Sequence, residues 1–147
     1  MTAQQPDKIF IDGQEQPLFS NPLEDYFTLT NFNPSFMSPH TANWRGYVAS
    51  WEIINQKLYL VSLSGWKVNP DTPGKLEEVD SQIVFPDESP PIFAKWFTGR
   101  LIVPQGKMMQ YIHMGYESIY EREIHYHVKN GEIISQNEIN NAHRRCC

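Results

Sequence analysis

Hydrophobic and polar residues alternate most clearly over positions 45–54 and 57–63, two runs that flank Asn55-Gln56. Folding the chain back at that turn sets Ile53 opposite Leu58, Trp51 opposite Leu60 and Ala49 opposite Ser62 on one face. Ser50, Glu52, Lys57 and Tyr59 fall on the other. One packed side and one wetter side is the habit of an antiparallel sheet. The C-terminal half repeats the pattern. Residues 99–103, Pro104-Gln105-Gly106 and 107–114 read as a hairpin, and a loop at 115–118 leads into a strand at 119–129. Asn130-Gly131 then turns 132–135 back on it, because Asn-Gly supplies the positive φ that two-residue hairpin turns need. Four consecutive antiparallel strands follow.

The N-terminal third is more varied. Residues 8–11 and 14–18 flank Asp12-Gly13, a second hairpin signal. Asn21 as N-cap, Pro22 at the first helical position and Glu24 in the first turn predict a short helix over 22–27, burying Leu23, Tyr26 and Phe27. Residues 31–43 read as a loop that tucks Phe32 and Phe36 against the body. Pro70, Pro73, Gly74 and an acidic cluster make 65–80 an irregular, mobile or functional loop. Positions 82–85 read as a strand, and Ser89-Pro90-Pro91 as the start of a short helix running through Phe97.

Together these elements predict a mainly β protein, α+β with one or two short helices. Its core is a curved antiparallel sheet or flattened barrel of about seven to nine strands built from sequential hairpins. A chain of 147 residues suits one domain over 1–147, with the ends at 1–7 and 137–147 fraying.

Composition narrows the function classes. With 40% apolar, 13% aromatic and 20% charged residues, the chain has too much to bury for a disordered protein. Its net charge of −5 argues against nucleic acid or an anionic membrane as partner and favours a basic protein surface. The first seven residues lack the basic and apolar regions of a secretory signal, and no stretch has the length of a membrane span, so the cytoplasm is the expected location. The only two cysteines, Cys146 and Cys147, sit side by side and cannot cross-link distant parts of a fold. The tail Arg144-Arg145-Cys146-Cys147 superficially resembles the prenylated end of vesicle-traffic GTPases. No Gly-rich phosphate loop accompanies it, so a frayed tail or a surface thiol pair is the better reading.

Two groups invite chemistry. Glu121, Glu123, His125 and His127 share one strand face by alternation, with Tyr120, Arg122, Ile124, Tyr126 and Val128 on the other. Glu123, His125 and His127 are weak metal candidates, for which a solvated face is the ordinary explanation. The hairpin register sets His113 on the packed side with Tyr120, away from these histidines. The same register lines up Arg100, Tyr111 and Arg122 across three strands, with Ile102 opposite Met109 and Met109 opposite Ile124. His113 and Tyr120 lie one step along. Two guanidinium groups at the edge of a core need partners: a small anionic ligand, or internal carboxylates from Glu24, Asp25 or the acidic loop.

Trp51 and Trp96 pattern as core, whereas Trp44 and Trp66 stand beside loops as candidate interface anchors. Asp71, Glu77, Glu78 and Asp80 would meet a basic partner. There is no Gly-x-Ser-x-Gly elbow and no dinucleotide or phosphate-loop fingerprint, which weakens the case for an enzyme, and no cofactor is expected. The leading expectation is a small cytoplasmic interaction protein of the kind represented by bacterial inhibitors, immunity proteins or accessory subunits. A binder or sensor of a small anionic ligand is the alternative, and a metal-dependent hydrolase ranks below it. The partner is expected to be another protein. The aromatic content leaves a homodimer open.

Overall fold

The computed structural model describes residues 6–32, 36–39, 45–72, 74–110 and 119–140; for 106–110 and 119–120 it describes the backbone alone. Two of the left-handed hairpin turns carry glycine at their second position. Asp12-Gly13, at φ 51° and 81°, joins β1 (Asp7–Ile11) to β2 (Gln14–Leu18). Asn130-Gly131, at φ 50° and 83°, joins β8 (Ile119–Lys129) to β9 (Glu132–Asn140). Both are the turns expected from their dipeptides.

The central hairpin pairs β3 (Tyr47–Ile54) with β4 (Lys57–Val68), with Ile53 opposite Leu58 and Trp51 opposite Leu60 as the alternation implies. One slip separates expectation from structure. A bulge at Val61 shifts the register, so Ser50 lies opposite Ser62 and Ala49 opposite Leu63. The bulge keeps Leu58, Leu60 and Leu63 all buried although their spacing breaks strict alternation.

Nine strands form one mixed sheet among the described residues, in the order β2-β1-β3-β4-β9-β8-β7, with β5 (Leu76–Val79) and β6 (Ile92–Phe93) added along β4. The protein is mostly β and its sheet curved, as expected. It is not purely antiparallel, because β1 lies parallel to β3, with Ile9 beside Trp51. Nor does the ladder close into a barrel. Instead, residues just after β2 bridge to the opposite edge, β7 (Gly99–Gln110): the Phe19 N–H donates to the Ile102 carbonyl at 2.7 Å. The Ser20 hydroxyl donates to the Arg100 carbonyl at 2.9 Å and accepts from the Ile102 N–H at 3.1 Å. Gln105 also donates to Gln16 across this seam.

The core lies inside the curve. Ile9, Leu18, Trp51, Leu58, Leu60, Leu101 and Val103 are fully buried, each contributing about 1.5–3 kcal/mol or more by burial. The one α-helix of the described residues, α1 (Pro22–Thr30), runs a turn past the expected 22–27 and ends at Asn31 in the left-handed conformation. Asn21 makes no side-chain cap bond; it accepts from the Arg45 guanidinium at 3.1 Å. Tyr26 packs on Phe85 and Trp96, and the Trp96 indole donates to the Pro22 carbonyl at 2.9 Å, so Trp96 packs as expected.

Four local expectations are overturned. Much of 65–80 is ordered as paired strand, β4 against β5, and is no irregular loop. Expected strand 82–85 begins as a single 3₁₀ turn, Ser81–Ile83, capped by the Asp80 carboxylate. Within the expected helix at 89–97, Ile92–Phe93 is strand, drawn into line by Leu60 and Tyr59. Pro104-Gln105-Gly106 makes no hairpin: β7 passes straight through, its register shift taken up between Gln105 and Met108. Of the expected frayed ends, Asp7 is wholly buried in β1 and residues 137–140 belong to β9, while 1–5 and 141–147 lie outside the described residues.

Candidate functional site

The far end of β4 carries the surface with most to offer a partner. Trp66 is still tied to the body, donating to the Gly46 carbonyl at 2.9 Å and accepting from the Met37 N–H at 2.7 Å. Beyond it β4 pairs only with β5 among the described residues, with Lys67 opposite Glu77 and Val68 opposite Leu76. A two-stranded ribbon therefore extends past the end of β3. Its turn is held by the Asn69 N–H on the Lys75 carbonyl at 3.0 Å and by the Asp71 N–H on the Asn69 side chain at 2.8 Å.

Side-chain alternation sorts the ribbon into two faces. Trp66, Val68, Leu76 and Glu78 share one, and Lys67 and Glu77 the other. Val68 is 50% and Leu76 38% exposed, a cross-strand apolar pair that the described residues leave largely uncovered. Asp71, Glu77, Glu78 and Asp80 are all exposed, Glu78 on the same face as this pair and Glu77 on the other, and Glu78 accepts from the Ser64 hydroxyl at 3.1 Å. The structure thus gathers Trp66, Asp71, Glu77, Glu78 and Asp80 on the ribbon and its base. Trp44 lies outside the described residues.

The arginine group does not assemble. Arg100 pairs with His127 and Arg122 with Gln105, so the two are five residues apart along β8, about 16 Å by strand rise, and on opposite faces. Both are exposed. The cause is the missing turn at 104–106: with β7 continuous, Ile102 lies opposite His125 and the expected three-strand alignment is lost. Tyr111 and His113 lie outside the described residues, as does the Cys146-Cys147 tail, and the Tyr120 side chain is not described.

The histidine face is drier than its pattern implies. His125 is buried, its Nε2 3.0 Å from a Glu123 carboxylate oxygen, while the His127 Nε2 lies 2.6 Å from the Asn137 side-chain oxygen. Among the described residues no three His, Cys, Asp or Glu side chains are placed to hold a metal.

One charged cluster was not foreseen. Asp7 is fully buried, its Oδ1 2.9 Å from the Arg45 guanidinium. It also accepts from the Ala49 N–H and the Trp51 indole, each at 3.1 Å. Burial pushes the Asp7 carboxyl above its usual range, against the pull of Arg45 and these donors. The guanidinium stacks over Tyr47, 4.5 Å from the ring centre, and the Tyr47 hydroxyl donates to Glu24 at 2.6 Å. A signal existed: Asp7, Ile9 and Ile11 alternate, so Asp7 belongs to the inward face of β1.

No family model, no curated protein and no solved structure matches the chain. Among the described residues no helix is long and apolar enough to cross a membrane.

Proposed function

We propose that this is an interaction protein of the cytoplasm, an inhibitor, immunity-type or accessory subunit, that docks on another protein through the β4–β5 ribbon. The exposed Val68–Leu76 pair carries the reading: an apolar cross-strand pair at the end of a ribbon, on one face with Trp66, has the makeup of an interface core. Glu78 on the same face, with the exposed carboxylates of Asp71, Glu77 and Asp80 elsewhere on the ribbon and its base, makes this end of the molecule acidic, and the net charge of −5 adds long-range attraction to a basic partner. Nucleic acid and anionic membranes are poor partners for the same charge.

The test is affinity capture from the source cell extract, comparing the natural chain with a Val68→Asp/Leu76→Asp double variant. A partner held by the first and lost by the second, and released more readily at high salt, supports the reading. A partner held equally by both sinks it. Charge reversal by Glu77→Lys/Glu78→Lys should slow association more than it speeds dissociation.

A further inference from the structure

The outer edge of β4 has a gap. β6 pairs with Tyr59 and Leu60, and β5 pairs from Gly65 onward, leaving residues 61–64 without a strand partner on that edge among the described residues. The gap coincides with the bulge at Val61. The 3₁₀ turn Ser81–Ile83 lies beside it, leaving a cleft of about 210 Å³ whose polar walls are Ser62, Asp80, Ser81, Gln82, Glu88 and Ser89.

Ser81 is only 4% exposed, lines the cleft, and its hydroxyl has no hydrogen-bond partner among the described residues. A buried hydroxyl without a partner is costly and calls for an explanation. Asp80 spends one carboxylate oxygen on the Gln82 N–H at 3.0 Å, and Glu88 stands exposed at the cleft. Among the described lining residues there is no lysine or arginine to neutralise the two carboxylates. Two anions, three hydroxyls and an amide form a wall of acceptors. The complementary group is cationic, planar and rich in N–H donors, which describes a guanidinium better than an ammonium.

We propose that this cleft receives an arginine side chain of the partner that docks on the ribbon. The assignment rests on the ribbon reading, and the two are contiguous: Asp80 follows β5 directly, and the Ser64–Glu78 bond ties the ribbon's base to the unpaired stretch of β4. The arginine neutralises Asp80 and Glu88 and supplies the Ser81 hydroxyl with a partner.

The experiment is an amide NMR titration of the full chain with the blocked tripeptide acetyl-Gly-Arg-Gly-amide and with its neutral citrulline counterpart. The arginine peptide should shift the amides of Ser62, Ser81 and Gln82 and bind about tenfold more tightly than the citrulline peptide. Glu88→Gln should weaken it several-fold. Ser81→Ala should weaken binding without lowering the melting temperature, because the hydroxyl makes no bond to the described residues that the change would remove. Absence of shifts around the cleft, or equal binding of both peptides, overturns the proposal. Methylguanidinium binding as tightly as the peptide also overturns it, in favour of a free small cation. The Val68→Asp/Leu76→Asp variant keeps the cleft and should bind the tripeptide normally. Partner capture lost in that variant, with no tripeptide binding by the natural chain, therefore refutes the cleft alone. Tripeptide binding with capture unaffected refutes the ribbon alone.

Discussion

The carboxylate of Asp7 and the guanidinium of Arg45 lie 2.9 Å apart, joining β1 to the segment that leads into β3. Asp7 also accepts from the Ala49 N–H and the Trp51 indole of β3, the strand parallel to its own. Removing one member of such a pair strands the other. Asp7→Ala is expected to cost about 3–5 kcal/mol in urea denaturation, with Arg45, the Ala49 N–H and the Trp51 indole all losing an acceptor. Asp7→Asn keeps one acceptor oxygen and should cost less.

Tyr47 links the same cluster to pH. Burial first, then the charge of Asp7, raises its phenol above the ordinary value of 10.0, with Glu24 adding to the rise and Arg45 opposing it. The folded state therefore holds this proton more tightly than the unfolded chain does. That contribution to stability is intact below pH 10.0 and is lost as pH climbs above it, by about 1.4 kcal/mol per pH unit for one proton. Tyr47→Phe removes this slope, and it costs about 1–2 kcal/mol at neutral pH through the lost bond to Glu24. Urea midpoints measured from neutral to strongly alkaline pH check both effects.

Ser20 substitutes for a missing rung between β2 and β7, since its hydroxyl both donates to Arg100 and accepts from Ile102. Ser20→Ala should cost about 1–3 kcal/mol. Hydrogen exchange at the Ile102 amide should accelerate by more than that at Leu101, whose side chain is core.

Two glycines of similar backbone should respond differently to alanine. Gly13 has φ +81°, and no described atom lies within 4 Å of where a methyl would stand, so Gly13→Ala carries only the conformational cost, about 1 kcal/mol. At Gly131, φ +83°, the added carbon would sit 2.6 Å from the Ala94 carbonyl oxygen and 2.8 Å from the Phe93 ring. Gly131→Ala should cost about 3 kcal/mol or more, because overpacking adds to the backbone term. Thermal melts of the two variants separate these cases.

What was legible in the sequence was local. Asp12-Gly13 and Asn130-Gly131 dictate their turns through backbone sterics alone, and the Ile53–Leu58 and Trp51–Leu60 pairs follow from one turn and simple alternation. The ribbon's residues stood out by type, although their strand order did not: Leu76–Val79 becomes strand because β4 runs past its neighbour and offers an edge. Ile92–Phe93 forms against β4 despite helical signals around it, and the Pro104-Gln105-Gly106 turn is overridden by the long β8 alongside. The Arg100–Tyr111–Arg122 group failed with that turn, since one wrong hairpin moves every partner beyond it. Asp7 and Arg45 are too far apart in sequence for a periodic pattern to bring together.

The seam at Ser20 also fixes an order of events in synthesis. The β1–β2 hairpin is translated well before its parallel neighbour β3, which begins at Tyr47, and the Arg100 carbonyl that Ser20 reaches lies 80 residues further along. Until β7 has been made, that first hairpin keeps one edge unsatisfied. Contacts of such long range set a slow folding step and leave a nascent edge in need of protection on the ribosome.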